Sequence, residues 1–117
     1  MDKRTEWGDT VVHDDVVAAI AARAAVTVAG VVQTSQHGLS DNLSSLVRHD
    51  HGGRGVRVAQ LGNGHYALDM HLVVHYGVRI PLLARQVADE VNRALFDAVG
   101  QYPDNLSIHI EGIRVLD

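Results

Sequence analysis

The segment from His65 to Gly100, HYALDMHLVVHYGVRIPLLARQVADEVNRALFDAVG, constrains the fold of this chain most. Its first part alternates. Tyr66, Leu68, Met70, Leu72, Val74 and Tyr76 fall on one side of an extended chain, and His65, Ala67, Asp69, His71, Val73 and His75 on the other. That pattern predicts a strand packed on helices through its even face, with the odd face left to water or to a partner. After Gly77 the period changes to that of a helix. Pro81 suits a first helical turn because its missing N–H would be unpaired there. Leu83, Val87, Val91, Ala94, Leu95 and Ala98 make the apolar stripe, with Arg85, Asp89, Arg93 and Asp97 alternating in sign on the other side. Gly100 ends the helix.

The rest of the chain supplies shorter elements. Residues 1–7 are polar and are expected to form a flexible N-terminal arm, followed by a single domain over residues 8–117. Thr10 to Val12 is a strand candidate. Asp14 and Asp15 open a helix whose apolar positions are Val16, Val17, Ile20, Ala21, Ala24 and Val28, with Gly30 as its stop. Val31 to Thr34 is a second strand. Leu39, Leu43, Leu46 and Val47 suggest a short helix, and the glycine-rich, charged run from Arg48 to Gly55 reads as a loop. Gly62-Asn63-Gly64 between two alternating stretches predicts a hairpin, because Asn-Gly accepts positive φ at both turn centres. Leu106, Ile108 and Ile110 alternate with Ser107, His109 and Glu111 in a last strand.

The predicted order is therefore β-α-β-(short α)-β-β-α-β. A helix between the last two strands favours a parallel, right-handed crossover. The fold class is α+β: a two-layer sandwich with a small mixed sheet and two main helices on one face.

Composition bounds the function. The chain has 117 residues, 46% of them hydrophobic, enough for one core. It has no cysteine, which excludes disulfides and thiolate chemistry. The formal net charge of −4 argues against a phosphate-backbone binder, so no nucleic-acid partner is expected. No apolar run approaches the roughly 20 residues needed to cross a bilayer, so no direct membrane insertion is expected. The N-terminus lacks the apolar core of a secretory signal, and a cytoplasmic location is expected. Protonating the eight histidines reverses the sign of the net charge, a property that suits either a pH-responsive protein or one with low solubility in mild acid.

An ordered set of short segments carries a family resemblance. Gly8-Asp9-Thr10-Val11-Val12 precedes Val16-Val17-Ala18-Ala19-Ile20-Ala21, and Val28-Ala29-Gly30-Val31 follows. Further on come Arg54-Gly55-Val56-Arg57-Val58, Val73-Val74-His75-Tyr76-Gly77-Val78-Arg79-Ile80-Pro81 and Ile108-His109-Ile110-Glu111-Gly112-Ile113. Together they span about residues 8 to 115, and the Tyr-Gly-x-x-Ile-Pro junction before an amphipathic helix is the most specific piece. The pattern resembles the alkaline-shock-protein or Gls-type general stress family of Gram-positive bacteria, the envelope stress response proteins. The resemblance implies a non-enzymatic protein of cell-envelope homeostasis that self-associates into homo-oligomers and binds membrane-associated partners. It supplies no catalytic residue and no cofactor.

Two clusters bear on metal chemistry. His49-Asp50-His51 lies in the glycine-rich run, which reads best as a solvated loop. On the odd face of the long strand, Asp69 and His71 are about 7 Å apart and suited to one ion, whereas His71 and His75 are about 13 Å apart and too distant. His109 joins them only if the last strand lies alongside in suitable register. No resident metal is expected. Asp69, His71, His75 and His109 are the candidates should one bind, as the alternative to a protein working through its surface. The expected interaction surface is His71, Val73, His75, His109 and Glu111. No serine sits in a nucleophile elbow, and Gly52-Gly53-Arg54-Gly55 leads into a strand rather than a helix, so it is a poor phosphate loop.

Overall fold

A computed structural model describes residues 2–5, 8–35 and 55–115. The short helix expected around Leu39 to Val47, the His49-Asp50-His51 cluster and most of the glycine-rich run lie outside the described residues. Among the described residues, six strands and two helices follow one another: β1 (Asp2–Thr5), β2 (Gly8–Val11), α1 (Asp14–Val26), β3 (Val31–Thr34), β4 (Val56–Gly62), β5 (His65–His75), α2 (Ile80–Val99) and β6 (Asn105–Arg114). No described helix is long and apolar enough to cross a membrane.

The strand β5 is the axis of the fold. Along one edge it pairs in parallel with β6, from Ala67 opposite Asn105 to His75 opposite Arg114. Two antiparallel strands share its other edge end to end: β4 pairs over His65 to Met70, and β3 over Leu72 to Val74. The sheet is thus mixed, as the crossover through α2 requires. The hairpin turn is where Asn-Gly predicts it, with Asn63 and Gly64 both at positive φ (55° and 83°). β1 pairs antiparallel with β2, Asp2 opposite Val11 through Thr5 opposite Gly8, in a separate two-stranded sheet. Residues 2–5 carry no alternating apolar signal, and the sequence did not mark them as a strand.

Burial follows the even face of β5. Tyr66, Leu68, Met70, Leu72 and Val74 are buried beneath the helices, with Val56 and Val58 of β4 beside them. On α2 the buried stripe is Leu83, Val87, Val91, Leu95 and Val99; Ala98, expected inside, is exposed because the stripe advances in steps of four to Val99. On α1 the buried face is Val17, Ala18, Ala21, Ala24 and Ala25, while Val16 is 48% exposed. These alanines pack α1 against α2 and the sheet. Each large aliphatic side chain so buried stabilises the fold by roughly 1.5–3 kcal/mol before entropy.

The helix ends are set by local chemistry. Thr27 closes α1, its Oγ1 donating to the Ala24 carbonyl at 2.7 Å. Gly100 closes α2 in the left-handed region, its N–H donating to the Phe96 carbonyl. Just beyond, the Tyr66 hydroxyl donates to the Gln101 carbonyl at 2.7 Å. Burial of this phenol, followed by the nearby Asp104 carboxylate, pushes its pKa up to about 12.

Candidate functional site

The odd face of β5 is not uniformly open. His65 is exposed and Ala67, Asp69, Val73 and His75 are half-buried, but His71 is only 7% exposed. Its backbone explains part of this. The His71 N–H donates to the Gly55 carbonyl, and its own carbonyl accepts from the Ser35 N–H at 2.7 Å. His71 therefore lies at the seam where β3 ends and β4 begins. The two ends of the seam pass so closely that a Cβ on Gly55 would stand 2.7 Å from both the Ser35 nitrogen and oxygen. Only glycine fits there, the more so at φ +80°.

The register of β6 supplies the other walls. His109 is the direct partner of His71 across the parallel pair, and the two rings stack with centroids 4.5 Å apart at 9°. Past Ile110 the register slips: Val73 pairs with Gly112, leaving Glu111 as the extra residue of a β-bulge. The Glu111 carboxylate reaches back to His71, one oxygen on the imidazole Nδ1 and the other accepting from Ser35 Oγ at 3.4 Å. On the opposite side Asp69 Oδ1 accepts from His109 Nε2 at 2.8 Å, and Asp69 Oδ2 lies 3.9 Å from His71 Nε2.

The Glu111 carboxylate orients the His71 ring; in the tautomer that donates Nδ1–H to it, Nε2 carries the lone pair. That Nε2 is buried and has no hydrogen-bond partner among the described residues. An unsatisfied buried acceptor costs about 1–3 kcal/mol. The lone pair points into a cluster in which donor atoms of Asp69, His71 and His109 all lie within 4.8 Å of one another. A cleft of about 230 Å³ opens beside Asp69, lined also by Arg57, Ala59, Ala67, Asn105 and Ser107.

Of the residues singled out from sequence, the fold brings Asp69, His71 and His109 together through the parallel β5–β6 pairing. It keeps His75 apart, opposite Arg114. Glu111, read only as part of an interaction surface, is the group that orients His71. No local signal marks the bulge, because it depends on how two distant strands pair. Ser35, 3% exposed, is a second residue of the cluster that the sequence did not single out for it.

Comparison with known proteins places the family and the fold. Residues 2–115 match a family model whose description is a cell envelope-related function. The chain belongs to the alkaline shock protein 23 family. The resemblance carried by the Tyr-Gly-x-x-Ile-Pro junction is thereby shown over nearly the whole chain. This family member is 31% identical to the uncharacterized protein YloU of Bacillus subtilis over 116 residues, 98% of this chain and 96% of that protein. It is 28% identical to the uncharacterized protein Spy1614 of Streptococcus pyogenes, covering 96% of this chain and 93% of that one. Among solved structures, variants of the MamM C-terminal domain share the fold at a TM-score of 0.51. A copper form is 16% identical and a cadmium form 17%, each covering 86% of this chain and 98% of that domain. At that identity the likeness concerns the fold alone.

Proposed function

We propose that this alkaline shock family protein is a non-enzymatic, cytoplasmic interaction protein of the cell envelope, acting by self-association and by binding membrane-associated partners. The observation that carries the reading is β6. It is ten residues long and pairs with β5 along one edge; among the described residues no strand covers its other edge. An unpaired edge of that length presents a row of backbone donors and acceptors to a further strand. Near its end Ile113 is 56% exposed, and Val115, just past the strand, is 66% exposed. Two copies meeting edge to edge through β6 satisfy both rows in one two-fold interface. The family's cell envelope-related role supports partners at the membrane, reached from the cytoplasmic side.

Light scattering across a concentration series tests the self-association. The expected result is a mass that rises above the monomer with concentration, and Ile113→Lys returning it toward the monomer by placing a charge on the edge. Crosslinking in cells with mass-spectrometric identification tests the partners. A strictly monomeric protein that captures no envelope protein sinks the reading.

A further inference from the structure

We propose that Asp69, His71 and His109 form a binding site for one divalent transition ion of the zinc type, with Glu111 as the residue that holds His71 in its ligating form. The inference goes beyond the interaction reading and does not depend on it. Two imidazole nitrogens and one carboxylate oxygen, with no thiolate, suit zinc, nickel or copper(II) rather than calcium or magnesium. Three protein ligands with an open fourth position is also a recurring zinc arrangement.

The strongest observation is His71 itself. Its side chain is 8% exposed, its Nδ1 is engaged by the Glu111 carboxylate, and its Nε2 lone pair has no hydrogen-bond partner among the described residues. A carboxylate on the far nitrogen of a ligating histidine fixes the tautomer and raises the basicity of the nitrogen that faces the ion. In that tautomer Nε2 is the nitrogen that coordinates. A cation at the centre of the cluster supplies the partner that its buried nitrogen lacks.

Closing the site needs small movements. Ligand atoms about 2.0–2.1 Å from a tetrahedral ion stand ~3.3 Å from one another. The Asp69–His71 separation of 3.9 Å must shrink, and the 2.8 Å Asp69–His109 hydrogen bond must open slightly. The two stacked rings aim their lone pairs nearly parallel, so His109 must tilt out of the stack; its side chain is 49% exposed and free to do so. The proton that His109 Nε2 shares with Asp69 is replaced by the ion, and the ring takes the Nδ1–H tautomer.

Calorimetric titration of the full chain with zinc chloride, repeated with nickel chloride, tests the site. One saturable ion per chain is expected. Asp69→Asn keeps the side-chain shape and His109→Ala alters an exposed ring, so both variants should fold as the parent does, which circular dichroism checks. Each should weaken zinc by at least about 100-fold, while Glu111→Gln should weaken it by about 10–100-fold. His75→Ala and the double variant His49→Ala/His51→Ala should bind as the parent does. In long-range nitrogen–proton spectra, zinc should move the His71 Nε2 resonance and leave His75 unchanged. The proposal is overturned by the absence of saturable binding, by parental affinity in Asp69→Asn and His109→Ala, or by loss of binding in the His49/His51 variant. Parental affinity in Glu111→Gln removes its positioning role.

Discussion

The two faces of β5 are built from the same eleven residues and solve burial in opposite ways. The even face carries Tyr66, Leu68, Met70, Leu72 and Val74, and closes by packing apolar side chains under α1 and α2. The odd face buries one residue, His71, and does so with hydrogen bonds, a stacked ring and a bulged strand. Packing without direction tolerates imperfect geometry, whereas a buried imidazole requires each neighbour in place. The difference teaches where information resides: the even face is specified by residue type at a period of two, the odd face by which strand lies alongside.

The largest expected effect belongs to the even face. Leu72→Ala removes a fully buried side chain at the middle of the sheet and should destabilise the fold by about 2–5 kcal/mol, read from denaturant unfolding. A loss well under 1 kcal/mol would mean that the helices do not close on this face as described.

Tyr66 sharpens the comparison, because it is the polar exception on the apolar face. Its phenol holds its proton to about pH 12 in the native state, mainly through burial and then through Asp104, against about 10 in the unfolded chain. Between those values the native state binds more protons than the unfolded one, so stability falls as pH rises. The two-unit gap amounts to about 3 kcal/mol of stability, fully present below about pH 10 and lost as pH rises through about 12. Tyr66→Phe should remove that part of the alkaline decline while costing about 1 kcal/mol at neutral pH through the lost bond to Gln101. Unfolding curves at pH 7, 9 and 12 check both; identical alkaline slopes in the two proteins would show that Tyr66 titrates as an exposed phenol.

Much of this was legible in the sequence, for physical reasons that vary by element. The alternation in β5, the Asn63-Gly64 turn and the Leu83–Val91 stripe are local signals, and each matches the structure except at Tyr76, which lies past the end of β5 and is exposed. The face of α1 was misread. Apolar residues surround that helix almost completely from Val16 to Ala22, so its period could not decide between Val16 and Ala18. β1 has no side-chain signature at all. The cluster was half legible: the spacing of Asp69 and His71 along one strand is local, and the exclusion of His75 follows from distance. The arrival of His109 beside His71 depends on the parallel register, and Glu111 on a bulge, and both are settled by long-range pairing.

The smallest effect gives the most direct test of the difference between the faces, since it uses the next residue along. Val73 is half-buried on the odd face, with Gly112 of β6 opposite it; a Cβ on that glycine would stand 3.4 Å from Val73 Cγ2. Val73→Ala removes two methyl groups that water already partly reaches, and should cost about 1 kcal/mol, several-fold less than Leu72→Ala. The measurement is the pair of unfolding free energies at two protein concentrations. Equal losses at both positions, independent of concentration, would mean that the odd face is a second core within one chain. A Val73→Ala loss that grows with protein concentration would instead mean that a second copy covers this face, extending self-association from the β6 edge across the sheet.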